Sequence, residues 1–101
     1  MIELGAEAAR QVRDLRAFYE SKGRTEAVRN LIAAVIRAAE RIEHTPGIGL
    51  PAPRPYPALA RDGLRWIKEG RYRIAYTMTV RPIIVAVFFE MADLPGRDGQ
   101  A

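Results

Sequence analysis

Four cationic side chains crowd into one short stretch of this chain: Arg65, Lys68, Arg71 and Arg73. A guanidinium is a planar fork that bonds two oxygens of a phosphate or carboxylate at once, so the cluster suits phosphate stabilisation or an acidic partner. Cutting RNA by attack of its 2′-hydroxyl needs more than cations. One group must take the hydroxyl proton and another must protonate the leaving oxygen. His44, the single histidine, is the natural acid–base type. It falls at the predicted end of a helix, where an imidazole suits the helix dipole better than a distant basic cluster. Arginine itself is a poor proton acceptor at neutral pH. The candidates therefore suit phosphate stabilisation without completing a nuclease site. Arg73 also suits a simpler role, as a solvated residue paired with Glu69, Glu90 or an acidic partner. Trp66 stands inside the cluster, where it could stack on a base, but a lone tryptophan beside a core strand is more often buried.

The charge distribution sharpens this picture. The formal net charge is +4, and 14 of the 16 basic residues are arginine. Residues 1–44 carry eight basic against seven acidic side chains, whereas residues 45–101 carry eight against five. Five of those last eight lie between Arg61 and Arg73. A basic patch in the C-terminal half is thus expected to meet nucleic acid or an acidic protein. With 101 residues, one domain spanning 1–101 is expected. The absence of cysteine removes disulfides and thiolate metal sites, and one histidine makes an all-protein zinc site implausible. No cofactor motif stands out. The start, Met1 to Gly5, lacks a signal-peptide pattern, and the apolar run Pro82–Phe89 is too short to span a bilayer as a helix. The expected location is the cytoplasm.

Helices and strands must position these cations. From Ala6 to about Lys22, Val12, Leu15, Phe18 and Tyr19 recur at helical spacing. Gly23 supplies a left-handed C-terminal residue, and Thr25 is a plausible N-cap for the next helix. That helix is predicted over about Glu26–His44, with an apolar stripe of Val28, Leu31, Ile32, Val35, Ile36, Ala39 and Ile42. The short link makes the two helices an antiparallel hairpin. Residues 45–63 hold five prolines and read as a loop. The period then changes to two: Leu64–Lys68 reads as a strand, Glu69-Gly70 as a turn, and Arg71–Val80 as a second strand. Within it Tyr72, Ile74, Tyr76, Met78 and Val80 point to the core, and Arg71, Arg73, Ala75, Thr77 and Thr79 away from it. Ile83–Phe89 is apolar on both faces and belongs mid-sheet. A short edge strand at Ile2–Leu4 is a further candidate. The fold class is α+β, with an N-terminal helical hairpin on one face of a small antiparallel β-sheet and the basic cluster on the open face.

In this order the chain resembles the ParE/RelE superfamily of toxins from type II toxin–antitoxin systems. The resemblance rests on four stretches. They are Ala9, Asp14-Leu15 and Tyr19; the run from Ile42 through Pro46 and Gly49 to Pro51; Gly63-Leu64-Arg65 with Gly70-Arg71-Tyr72-Arg73-Ile74-Ala75-Tyr76; and Val85–Phe89 with Asp93-Leu94-Pro95-Gly96-Arg97. Together they cover residues 9–97. Two departures matter. The first strand is short for the family, and the tail from Phe89 to Asp93 lacks the tyrosine and basic residues of RNA-cleaving members.

The resemblance implies a growth-inhibiting toxin with a cognate antitoxin that folds onto it. Its implied target is DNA gyrase, as in ParE-like members, or ribosome-bound mRNA, as in RelE-like endonucleases. The incomplete tail favours gyrase and also admits an inactive relative that only binds antitoxin. Arg73 matches the arginine of the family's Gly-Tyr-Arg stretch, which is catalytic in cleaving members. Arg71, Arg65 and Lys68 are secondary candidates. Operator DNA would be reached only through the antitoxin. Outside the family, a small RNA-binding protein using the sheet face remains a reading, though paired exposed aromatics are missing.

Overall fold

The computed structural model describes residues 2–53 and 56–89. The tail beyond Phe89 that enters the family resemblance lies outside the described residues. Helix α1 spans Ala6–Ser21 and α2 spans Thr25–His44, with strands β1 at Glu3–Leu4, β2 at Leu64–Glu69, β3 at Tyr72–Thr77 and β4 at Ile83–Phe89. Along α1, Arg10 pairs with Glu7 one turn before it and Asp14 one turn after. Such exposed pairs add a few tenths of a kcal/mol each, about 0.2–0.5. Gly23, at φ +67°, reverses the chain, and its N–H and that of Arg24 satisfy the last carbonyls of α1. Thr25 is the first residue of α2 rather than its cap; Arg24 holds the capping position.

The hairpin lies on the sheet as expected. The inward face of α2 buries Leu31, Ala34, Ala38, Ala39 and Ile42, and its three alanines let the helix approach the strands closely. Opposite them are Ile67, Tyr72, Ile74, Tyr76, Ile84 and Val87. Ile74, Tyr76 and Ile84 are fully buried, and burying a large apolar side chain is worth about 1.5–3 kcal/mol.

The strand order is β1-β4-β3-β2. β2, β3 and β4 are antiparallel, but β1 joins β4 in parallel through Glu3↔Ile83 and Leu4↔Ile84, so the sheet is mixed. β2 and β3 are joined by the two-residue turn Gly70-Arg71, with Gly70 at φ +59°. A register shift places Ala75 opposite Ala86 and Tyr76 opposite Ile84, so β4 bulges at Val85.

β3 stops three residues earlier than its alternation suggests. The Thr77 hydroxyl accepts the Ile83 N–H, and the Thr79 hydroxyl donates to the Arg81 carbonyl. These local bonds give the backbone an alternative to the ladder. Met78 and Val80, expected in the core, are consequently exposed. Both outer edges are partly closed. Leu50 exchanges two backbone bonds with Trp66, Arg41 donates to the Lys68 carbonyl, and on β4 the Val87 N–H donates to the Gln11 side chain.

Candidate functional site

The hairpin pairing Glu69↔Tyr72 brings Lys68 directly opposite Arg73, and Arg73 in turn opposite Phe88. These three share the sheet face that turns away from the helices. Lys68 is exposed and Arg73 half-buried. The same face continues into Trp66, Ala75 and Ala86, and the Trp66 and Phe88 rings stack at 6.1 Å with 19° between their planes. Tyr56 and Leu59, from the proline-rich loop, close over Trp66 and Ala75. The face is therefore not the open basic sheet surface expected from alternation. The loop covers its middle with a small second core, and the cations are left at one end. A groove of about 280 Å³ there is lined by Lys68, Arg73, Trp66, Leu50, Pro53 and Arg41, among others.

The other two cations of the cluster point elsewhere. Arg65 pairs with Tyr76, a residue of the helix-side core, and packs under Gly49. Its separation of three from Lys68 on one strand already requires opposite faces. Arg71 lies in the turn rather than in β3, and its guanidinium sits 5.4 Å from the centre of the Phe89 ring. The four candidates thus divide into a pair, Lys68 with Arg73, and two separate residues. Trp66 is buried, as are Tyr72 and Tyr76, in keeping with packing roles.

Three groups able to move a proton, Glu69, His44 and Tyr72, lie on the helix side. Glu69 accepts hydrogen bonds from Arg37 at 2.9 Å and Arg41 at 2.8 Å. Burial opposes ionisation of its carboxyl, but the bonds and charges of the two arginines outweigh that and hold it below the usual range. His44 is exposed at the end of α2, in a shallow groove shared with Glu40, Arg41 and Glu69. The Tyr72 phenol is bonded to that of Tyr19 at 2.8 Å. Desolvation pushes its pKa well above the ordinary tyrosine value, reinforced by the bond to Tyr19.

Sequence reasoning missed Arg24, Arg37 and Arg41. The last two had a visible signal: they stand four apart on α2, where both can reach one carboxylate. Arg24 had none, because its surroundings come from turns distant in sequence. No group of three or more His, Cys, Asp or Glu side chains is placed to hold a metal among the described residues. No helix among them is long and apolar enough to cross a membrane.

A helical hairpin on one face of a four-stranded mixed sheet, with a lysine–arginine pair on the other, defines a small basic α+β protein of the RelE/ParE-like kind. The family model of the ParE toxin of the type II toxin-antitoxin system, parDE, matches residues 2–89, and the chain belongs to that family. Membership implies a protein antitoxin as partner. Among curated proteins, no match to the chain was found.

Proposed function

We propose that this chain is an active toxin that arrests growth by binding DNA gyrase in the cytoplasm, and that its antitoxin restrains it. The observation that carries the choice is the separation of Lys68 and Arg73 from Glu69 and His44. Glu69 and His44 lie on the helix side, whereas Lys68 and Arg73 lie across the sheet beside Trp66, Ala75 and Phe88. Cleavage at an arginine-bound phosphate needs its proton acceptor within hydrogen-bond reach of the same substrate. A cation pair beside aromatic and aliphatic side chains suits docking instead. Arg73 and Lys68 are then contact residues; Arg71 and Arg65 have weaker claims. Contact with operator DNA is left to the antitoxin.

The second reading is ribosome-dependent mRNA cleavage. It is favoured by Arg73 itself, which stands where the resemblance puts the arginine of cleaving members. Induction of the chain alone, with DNA and protein labelling followed through the first minutes, separates the two. Gyrase inhibition predicts that DNA synthesis falls first, and that Lys68→Ala with Arg73→Ala weakens the arrest. Early loss of protein synthesis, relieved by Arg73→Ala, would overturn the gyrase reading. Growth untouched by the folded chain would leave an antitoxin-binding relative.

A further inference from the structure

The face of α2 turned away from the sheet is apolar in its middle. Ile32 and Ile36 stand one turn apart, 38% and 42% exposed, with Ala33 half-buried beside them. They are left outside because the core draws Leu31, Ala34, Ala38 and Ile42 from the opposite side of the helix. Helical spacing brings two charged residues onto the same outward face: Arg29, one turn before the apolar patch, and Glu40, one turn after it. Both are exposed. Among the described residues neither forms an ion pair.

This face is balanced rather than basic, and that narrows its occupant. A polyanion gains from Arg29 but is repelled by Glu40. A matching helix must offer a negative charge to Arg29, apolar side chains to Ile32 and Ile36, and a positive charge to Glu40. In a second copy, α2 offers these in that order when the two helices run antiparallel. Two-fold symmetry then makes the contact isologous, so each pair forms twice. Arg29 and Glu40 are eleven residues apart, about 16 Å along the helix axis. With the symmetry axis midway between them, at the level of Ala34, Arg29 of each copy meets Glu40 of the other. Ile36 of each copy then meets the small Ala33 of the other, which lets the helix axes approach to about 8–10 Å. Parallel helices would instead set Arg29 against Arg29 and Glu40 against Glu40.

We propose that the chain pairs with a second copy of itself through this face, α2 against α2 in an antiparallel two-fold dimer. The helices cover one face of the sheet, so Lys68 and Arg73, on the other, stay clear of the contact in both copies. The dimer is weak. One pair of helices buries less than the roughly 1,600 Å² of a standard interface, so a Kd on the order of 100 μM is expected. The pairing is independent of which target the toxin takes.

The test is sedimentation equilibrium of the full chain from about 5 μM to about 1 mM, a range that brackets the expected Kd. The mean mass should rise from one chain toward two across it. Arg29→Glu should weaken association about tenfold, because two attractive contacts become repulsive, and Glu40→Arg should do the same. Arg29→Glu combined with Glu40→Arg should restore it, since the charges are exchanged but still complementary. Ile32→Ser with Ile36→Ser, in a chain that still melts cooperatively, should leave a monomer. A chain that stays monomeric throughout, or a dimer that ignores Arg29→Glu, would overturn the proposal. So would a double charge variant no tighter than the single ones, which would trace their effect to α2 itself rather than to a contact. A last arm adds polyglutamate or a short oligonucleotide to dilute chain and follows the amides of Ile32 and Ile36 by NMR. Shifts there, without a rise in mass at high chain concentration, would give the face to an acidic partner instead.

Discussion

Gly49 sits where no side chain fits. A Cβ built there would lie 2.7 Å from the Arg65 Cβ and 2.8 Å from the Tyr76 hydroxyl. The Gly49 N–H donates to that same hydroxyl, which donates onward to the Pro46 carbonyl. One buried tyrosine thus ties the loop after α2 to the centre of the sheet. Its phenol also explains why a fully buried Tyr76 can end in a polar atom without penalty. Gly49→Ala is expected to destabilise the protein by about 1–3 kcal/mol, read as a lower urea midpoint, because the methyl group must displace the tyrosine or the strand. An unchanged midpoint would mean that the loop gives way freely and holds nothing. The glycine is visible in the sequence as part of the run from Ile42 to Pro51. The reason for it is not, because Tyr76 lies 27 positions away.

Between elements, the Glu69 carboxylate fastens the β2–β3 hairpin to α2. Its side chain is only 14% exposed, whereas Arg37 and Arg41 are about half open to water. The arginines depress the Glu69 pKa in the folded state, so ionised Glu69 favours folding. That contribution is fully present above the ordinary glutamate value of 4.5 and is lost as pH falls through the depressed one. Screening at the open arginines keeps it modest, about 1 kcal/mol. Glu69→Gln should lower stability by that amount at neutral pH and flatten the acid limb of a stability–pH curve. Parallel curves for the two proteins would sink the assignment. The elements themselves were legible in the sequence because apolar spacing changes from helical to alternating at Leu64. The end of β3 was not, since threonine hydroxyls rather than hydrophobicity decide it. Among the site residues, the pairing of Lys68 with Arg73 follows from symmetry about a two-residue turn. The closing of Tyr56 and Leu59 over Trp66 and Ala75 was not legible, because no local pattern says where a proline-rich loop will lie.

Across the whole molecule the sheet has two unequal cores. The helix side buries Leu31, Ile42, Ile74, Tyr76, Ile84 and Val87, while the other side has Tyr56, Trp66 and Ala75 under a proline-rich loop. The Trp66 indole N–H is buried without an acceptor among the described residues, and such a group costs about 1–3 kcal/mol. The outer layer is therefore the one expected to open first, by local rather than global unfolding. Its position gives this a functional edge, because the same layer adjoins Lys68 and Arg73 and fixes the shape of any surface they present. Trp66 is the only tryptophan in the chain, so its fluorescence reports on this layer alone. Tyr56→Ala should shift its emission to the red while the helical circular-dichroism signal stays intact, with global stability falling by about 1–3 kcal/mol. In the unaltered chain, tryptophan emission should begin to change at a lower urea concentration than helicity does. Coincident transitions would mean that both cores unfold as one, and that the surface around Arg73 is as rigid as the helix-side core.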